Sequence, residues 1–106
     1  MAGFRFHPEA RVELDEIWQF IRRDRLDAAD RVVEEILRAA RGLARFPLRG
    51  FRRPDLTRRP VRFLVIRGYL VAYAPESRPV TILAVLDARR NPKVLARILA
   101  DRQPVR

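Results

Sequence analysis

The sequence has 106 residues, of which 48% are hydrophobic and 34% charged, with a net charge of +10 and no cysteine. This length allows one domain with a single core, which we expect to comprise residues 1–106. The apolar runs fall well short of the roughly 20 residues that span a bilayer, and the first residues lack the pattern of a secretory signal. Without cysteine and with one histidine, disulfides and thiolate catalysis are excluded and a transition-metal site is not expected. We therefore expect a cytoplasmic protein that uses no metal and no cofactor.

Two amphipathic helices are predicted in the first half of the chain. Residues 4–6 alternate as a short strand, and Pro8 suits the first turn of a helix over 8–24. The apolar positions of this helix share one face: Ala10, Leu14, Ile17, Trp18 and Ile21. A second helix is predicted to start at Asp27 as N-cap and to end before Pro47. The short link between them predicts an antiparallel helical hairpin, whose apolar face must pack on a sheet for the helices to be stable.

Three strands and a short helix are predicted in the second half. The strands are VRFLVI at 61–66, YLVAYA at 69–74 and VTILAVL at 80–86. Arg67-Gly68 fits a two-residue hairpin turn, and Asn91-Pro92 fits the N-cap and first residue of a C-terminal helix. The order β-α-α-β-β-β-α predicts an α+β fold in which the helical hairpin packs on a mainly antiparallel sheet.

The basic residues are concentrated after the helical hairpin. Residues 1–40 contain seven arginines and nine carboxylates, a net charge of −2, whereas residues 41–106 contain sixteen basic and four acidic side chains, a net charge of +12. This asymmetry predicts an anionic partner, either nucleic acid or an acidic protein segment.

The chain offers few residues for catalysis. Ser77 and His7 are the one serine and the one histidine, and no nucleophile motif surrounds the serine. The isolated glycines have no spacing that would hold a nucleotide phosphate. The acidic pairs Asp15-Glu16 and Glu34-Glu35 fit solvated helix faces better than a catalytic cleft.

Arginine is the remaining candidate functional group. If the start of the first long strand and the end of the third lie at one end of the sheet, their arginines could together bind phosphates or stabilise charge at a scissile phosphate. These residues are Arg49, Arg52, Arg53, Arg58, Arg59, Arg62, Arg89 and Arg90. Arg62 could pair with Asp87 or contact a ligand. Tyr69 and Tyr73 share a strand face and could stack on a base or form core.

The order and spacing of several motifs resemble the toxins of the RelE/ParE superfamily of type II toxin-antitoxin modules. The motifs are the helical hairpin, G-x-x-RPDL at 50–56, VRFLVIRGYLVAYAP at 61–75 and ILAVLDARRNP at 82–92. The similarity covers nearly the whole chain. Ala-Asp-Arg at 29–31 and the R-x-x-x-x-x-GYL spacing at 62–70 resemble the ParE branch more closely than the RelE branch.

The resemblance implies a toxin, and the two branches differ in their target. ParE-like toxins are associated with poisoning of DNA gyrase, whereas RelE-like toxins cut mRNA on the ribosome with sheet arginines and a Tyr or His near the C-terminus. Arg89 matches the family arginine after the last strand. Leu70, however, stands where the nucleases have arginine, Asp87 stands where many ParE-like relatives have histidine, and the terminal helix has no Tyr or His.

Three hypotheses for the function remain open, the first two from the resemblance and the third from the basic charge alone. The first is a ParE-like poison of gyrase that is not an enzyme. The second is a ribosome-dependent endoribonuclease that uses Arg62, Arg89 and Arg90 to bind phosphate. The third is a non-toxic, basic nucleic-acid-binding module.

The family also implies a protein partner. An antitoxin whose C-terminal segment wraps the toxin would form a hetero-oligomer with it, through apolar and acidic side chains. The resemblance implies an apolar antitoxin groove formed by Leu14, Ile17, Trp18, Ile21, Val33 and Leu37. The arginines named above, together with Tyr73, would contact the target or the antitoxin.

The connector FPLRGFRRPDL at 46–56 leads from the helical hairpin to the sheet. Pro47, Gly50 and Pro54 are predicted to make its bends. Its arginines would either extend the basic rim or be incidental charge on a solvated loop.

Overall fold

The computed structural model describes residues 3–104, and its element order confirms the predicted α+β fold. The elements are β1 (Phe4–Phe6), α1 (Pro8–Arg22), α2 (Leu26–Arg45), β2 (Arg62–Ile66), β3 (Tyr69–Ala74), β4 (Val80–Asp87) and α3 (Pro92–Ala100). No helix within residues 3–104 combines the length and the apolar character that crossing a bilayer requires.

The start of α2 differs from the prediction. Arg25 occupies the N-cap position and makes no capping bond with its side chain. Asp27 lies inside the first turn, where its carboxylate accepts hydrogen bonds from Arg25 and Arg31, each over 3.1 Å. The prediction that Asp27 caps this helix is therefore wrong. An acidic residue in the first turn stabilises the helix through its dipole and does not need the N-cap position to do so.

Local chemistry at three other element ends agrees with the sequence. Arg67 and Gly68 have φ values of 53° and 82°, as a two-residue hairpin turn requires. The side chain of Asn91 accepts a hydrogen bond from the backbone N–H of Lys93 and caps α3. His7 caps α1 in the same way, because its Nδ1 accepts from the N–H of Glu9.

The four strands form one sheet in the order β1-β4-β3-β2. β1 runs parallel to β4, and the other pairs are antiparallel. Helices α1 and α2 pack on one face over a core that includes Leu14, Ile36, Leu43, Tyr73 and Ile82. Helix α3 packs on the opposite face over a second core that includes Phe63, Leu70, Leu83, Leu95 and Leu99. The sheet is therefore covered on both faces, and β1 and β2 form its edges.

Candidate functional site

The predicted arginine cluster is divided between two ends of the sheet. Arg62 at the start of β2 pairs with Tyr73 at the end of β3, whereas Tyr69 at the start of β3 pairs with Asp87 at the end of β4. β2 and β4 run in the same direction on either side of an antiparallel β3, so the start of one and the end of the other are at opposite ends. The expectation that Arg62 and the Arg89–Arg90 pair come together is therefore wrong.

Arg62 supports the connector instead of pairing with Asp87. Its Nη1 donates to the carbonyl oxygens of Gly50 at 2.8 Å and Leu48 at 3.3 Å. Asp87 pairs with Arg89, whose Nη2 lies 3.0 Å from Oδ2 and whose backbone N–H donates to Oδ1. The hydrogen bonds from the Arg89 side chain and backbone lower the pKa of Asp87 to about 2. Of the two alternatives considered for Arg62, the ion pair with Asp87 is therefore not formed.

Two further arginines of the predicted cluster make structural contacts. Arg59 is half-buried and donates to the carbonyl oxygens of Leu99 and Arg102 at the C-terminal end of α3, over 3.2 Å and 2.8 Å. The Leu99 carbonyl also accepts from the backbone N–H of Arg102, so Arg59 adds a second donor at the end of α3 and binds the segment that follows it. Arg53 binds Asp55 through two hydrogen bonds of 2.9 Å and 2.7 Å, which lower the pKa of the Asp55 carboxyl. The exposed members of the set are Arg49, Arg52, Arg58, Arg89 and Arg90.

Tyr73 belongs to the core and anchors the connector. It is fully buried, which leaves no ring face for a base, so its predicted contact with a target or antitoxin is not supported. Its hydroxyl donates to the carbonyl oxygen of Pro47 at 2.7 Å and accepts from the N–H of Gly50 at 2.8 Å. Burial raises the pKa of this hydroxyl. A Cβ on residue 50 would lie 2.6 Å from the Tyr73 hydroxyl oxygen, so only glycine fits there.

Ser77 and His7 are engaged in local structure. The Ser77 hydroxyl lies 2.8 Å from that of Thr81 and donates to the carbonyl oxygen of Pro79. The pKa of His7 is lowered, first by burial and then by the charge of Arg102. This shift favours the neutral imidazole that caps α1.

An apolar cleft opens between β1, α1 and α2. It has a volume of about 780 Å³. It is lined by Phe4, Arg5, Phe6, Arg11, Leu14, Asp15, Trp18, Val33 and Leu37. Four members of the predicted groove are therefore in this cleft: Leu14, Trp18, Val33 and Leu37. Ile21 packs against the core, and Ile17 lines a different cleft, of about 450 Å³, next to Tyr69 and Asp87.

Phe4 and Phe6 line the cleft, although neither was among the residues predicted for the groove. Their alternation with Arg5 was a usable signal, because it turns both rings toward the helices and the arginine toward the other face. The two rings meet edge to face, with centroids 5.7 Å apart. β1 is thus both an edge strand of the sheet and one wall of the cleft.

Polar contacts fix the walls of the cleft and give it a mostly basic rim. Trp18 Nε1 donates to Asp30 at 2.9 Å and so links α1 to α2. Arg22 lies over the Trp18 ring, 5.0 Å from its centroid, and Arg11 lies 6.0 Å from the centroid of Phe6. An apolar floor with cations at its edge is suited to an amphipathic segment that carries acidic side chains.

A protein-family model described as the ParE toxin of the type II toxin-antitoxin system, parDE, matches residues 4–92. The chain belongs to the ParE toxin family. A solved structure of the "Chromosomal ParDE TA system from P. aeruginosa" has the same fold, with a TM-score of 0.67 and 18% sequence identity. The match covers 81% of this chain and 95% of that one. No curated protein sequence matches the chain significantly.

Membership of the ParE family confirms the resemblance drawn from the sequence. The matched region contains both helices of the hairpin and all four strands, and it ends where α3 begins. Leu70, at the position where the resemblance expects arginine in nucleases, is buried in the core under α3. This ParE toxin therefore has an apolar core residue at that point of the sheet.

Proposed function

We propose that this ParE toxin inhibits bacterial growth in the cytoplasm by poisoning DNA gyrase and is neutralised by a cognate antitoxin. The match of the ParE family over residues 4–92 is the observation that carries this proposal. The antitoxin and the toxin would form a hetero-oligomer in which the C-terminal segment of the antitoxin occupies the cleft between β1, α1 and α2.

The distribution of arginines supports a toxin that acts by binding. A nuclease site needs groups that converge on one scissile phosphate. Of the three arginines considered for such a site, Arg62 donates to connector carbonyls and Arg89–Arg90 follow the far end of β4. With Leu70 buried and no Tyr or His in α3, a convergent nuclease set is missing from residues 3–104.

The apolar cleft supports the antitoxin part of the proposal. Its size, about 780 Å³, suits several apolar side chains of one helix or strand. Arg11 at the rim would attract acidic side chains beside it. An antitoxin segment with apolar and acidic residues on adjoining faces fits both features.

Expression of the chain in a bacterial host without antitoxin tests the proposed target. We expect growth arrest, induction of the SOS response and cleaved DNA trapped on gyrase. Cut mRNA on ribosomes with intact DNA would instead support the endoribonuclease hypothesis. Normal growth at a verified level of soluble protein would support a non-toxic nucleic-acid-binding module. Co-expression of the cognate antitoxin is expected to restore growth.

A further inference from the structure

The first residues of the connector expose two large apolar side chains. Phe46 is 62% exposed and Leu48 is 65% exposed. Together with Arg45, Pro47 and Arg49 they line a shallow depression of about 750 Å³. We call residues 45–49 the connector platform. Exposed apolar side chains grouped at one place are typical of interaction sites.

The backbone of the connector platform is held from inside the molecule. The carbonyl oxygen of Phe46 accepts from the N–H of Arg49, and that of Pro47 accepts from the Tyr73 hydroxyl. Arg62 binds the carbonyl oxygen of Leu48. The carbonyl groups of residues 46–48 are therefore satisfied by protein donors, while the side chains of Phe46 and Leu48 face solvent. A platform fixed in this way loses little conformational entropy when it binds a partner.

The surroundings of the connector platform are strongly basic. Residues 38–54 contain six arginines and no carboxylate, and two of the six, Arg41 and Arg53, pair with Glu34 and Asp55 just outside this range. Arg45 lies 5.8 Å from the centroid of the Phe46 ring. Neither Arg45 nor Arg49 forms an ion pair with a carboxylate within residues 3–104. A second copy of the chain would meet these cations with the same cations, so the charge favours an acidic partner.

The shape and chemistry of the depression favour a protein segment over nucleic acid. Pro47 and Leu48 are aliphatic, and Phe46 is the single aromatic residue that lines it. Single strands of nucleic acid bind through successive aromatic surfaces along a basic groove. A pocket with aliphatic walls instead accepts one large apolar side chain of a protein, which is a common centre of binding energy.

We propose that the connector platform binds an acidic protein segment that carries a large apolar side chain. The platform shares no lining residue with the cleft between β1, α1 and α2. The proposal therefore does not depend on the proposed antitoxin site or on gyrase as the target. A chain without toxic activity would still be expected to bind such a segment.

Selection from a phage-displayed library of random peptides tests this proposal. The purified chain is compared with the double variant Phe46→Ser, Leu48→Ser, which keeps every charge, and with Leu26→Ser as a control. Leu26 is 55% exposed at the start of α2, away from the platform. We expect peptides that combine Asp or Glu with Phe, Leu, Ile or Trp, and that bind the double variant at least about tenfold more weakly. Binding to Leu26→Ser should be unchanged.

Two further measurements keep the result interpretable. The double variant Arg45→Gln, Arg49→Gln should bind the same peptides more weakly. Tyr73→Phe, which removes the hydrogen bonds to Pro47 and Gly50, should also bind them more weakly, provided that circular dichroism shows the variant to be folded. The proposal is overturned if the selected peptides bind the charge-preserving double variant equally well. A loss of oligothymidylate binding in the double variant, with no loss of peptide binding, would also overturn the proposal. So would a change in self-association, measured by sedimentation, as the only effect of the double variant.

Discussion

Arg102 Nη2 lies 2.7 Å from the Oε2 atom of Glu13, and this ion pair joins α1 to the segment that follows α3. Glu13 also accepts from the N–H of Val85, and Arg102 donates to the carbonyl oxygen of Leu83. Leu83 is the residue that the register between β3 and β4 skips. The pair therefore satisfies the N–H of Val85 and the carbonyl of Leu83, two backbone groups of β4 that lie beyond the residues paired with β1. The side chain of Arg102 is only 11% exposed and that of Glu13 only 15%.

Removal of one member of this pair should destabilise the fold strongly. We expect Arg102→Ala or Glu13→Gln to lower the free energy of unfolding by about 3 kcal/mol, because the remaining group stays buried without its partner. Urea denaturation followed by circular dichroism measures this loss. The control is Arg41→Ala, which breaks the exposed pair with Glu34 and should cost less than about 1 kcal/mol. Equal losses would contradict the role assigned to Glu13 and Arg102.

Gly50 and Gly42 should respond to alanine in opposite ways. At Gly50 a new Cβ would meet the Tyr73 hydroxyl at 2.6 Å and the carbonyl oxygen of Phe63 at 2.7 Å. We expect Gly50→Ala to lower the free energy of unfolding by about 2 kcal/mol, since the core and β2 must shift. At Gly42, inside α2, a Cβ would meet only Arg49 Nη1 at 3.6 Å. Gly42→Ala should raise stability by up to about 1 kcal/mol.

Thermal unfolding of the two alanine variants provides the measurement. A Gly50→Ala variant as stable as the wild type would show that the anchor formed by Tyr73 does not constrain the connector. Loss of stability in Gly42→Ala would indicate that α2 is crowded at that position.

Asp87 should make stability depend on acidity at low pH. Hydrogen bonds from Arg89 lower its pKa from 3.8 to about 2, so the folded state favours the ionised carboxylate. This contribution is complete above the ordinary pKa and is lost as the pH falls through the folded value. We expect Asp87→Asn to flatten the pH dependence of the free energy of unfolding between pH 3.8 and about 2. The control is Asp15→Asn, at an exposed site on α1, and parallel curves for Asp87→Asn and wild type would contradict the assignment.

Arg11 tests the proposed antitoxin cleft without disturbing the core. It is exposed at the rim, above the ring of Phe6. We expect Arg11→Glu to weaken binding of the cognate antitoxin by about tenfold, or about 1.4 kcal/mol, through repulsion of its acidic side chains. Toxicity without antitoxin should remain. Titration calorimetry measures the affinity, with Arg97→Glu on the exposed side of α3 as a charge-matched control. Equal affinities of the two variants would place the antitoxin elsewhere.

Local signals in the sequence predicted much of the fold. The helical periods, the Arg67-Gly68 turn and the Asn91-Pro92 helix start each depend on neighbouring residues, and the structure confirms them. The direction of the strands was also available from the sequence. In a meander the first and third strands run the same way, and neglecting this rule caused the wrong placement of the arginine cluster.

Contacts between distant parts of the chain were beyond the reach of the sequence patterns. Arg59 binds the carbonyl oxygens of Leu99 and Arg102, and Glu13 pairs with Arg102 across 89 positions. Nothing in the local composition separates these arginines from the exposed ones. For β1, the alternation of residues 4–6 indicated that Phe4 and Phe6 share a face, but only the parallel pairing with β4 brings Phe4 to the wall of the cleft.

Incubation of the purified chain with gyrase, ATP and supercoiled DNA tests the central claim most directly. The proposed function predicts that cleaved DNA accumulates covalently on gyrase, and that mRNA on translating ribosomes stays intact under the same conditions. Cleavage of ribosome-bound mRNA by the chain, with gyrase supercoiling unaffected, would contradict it.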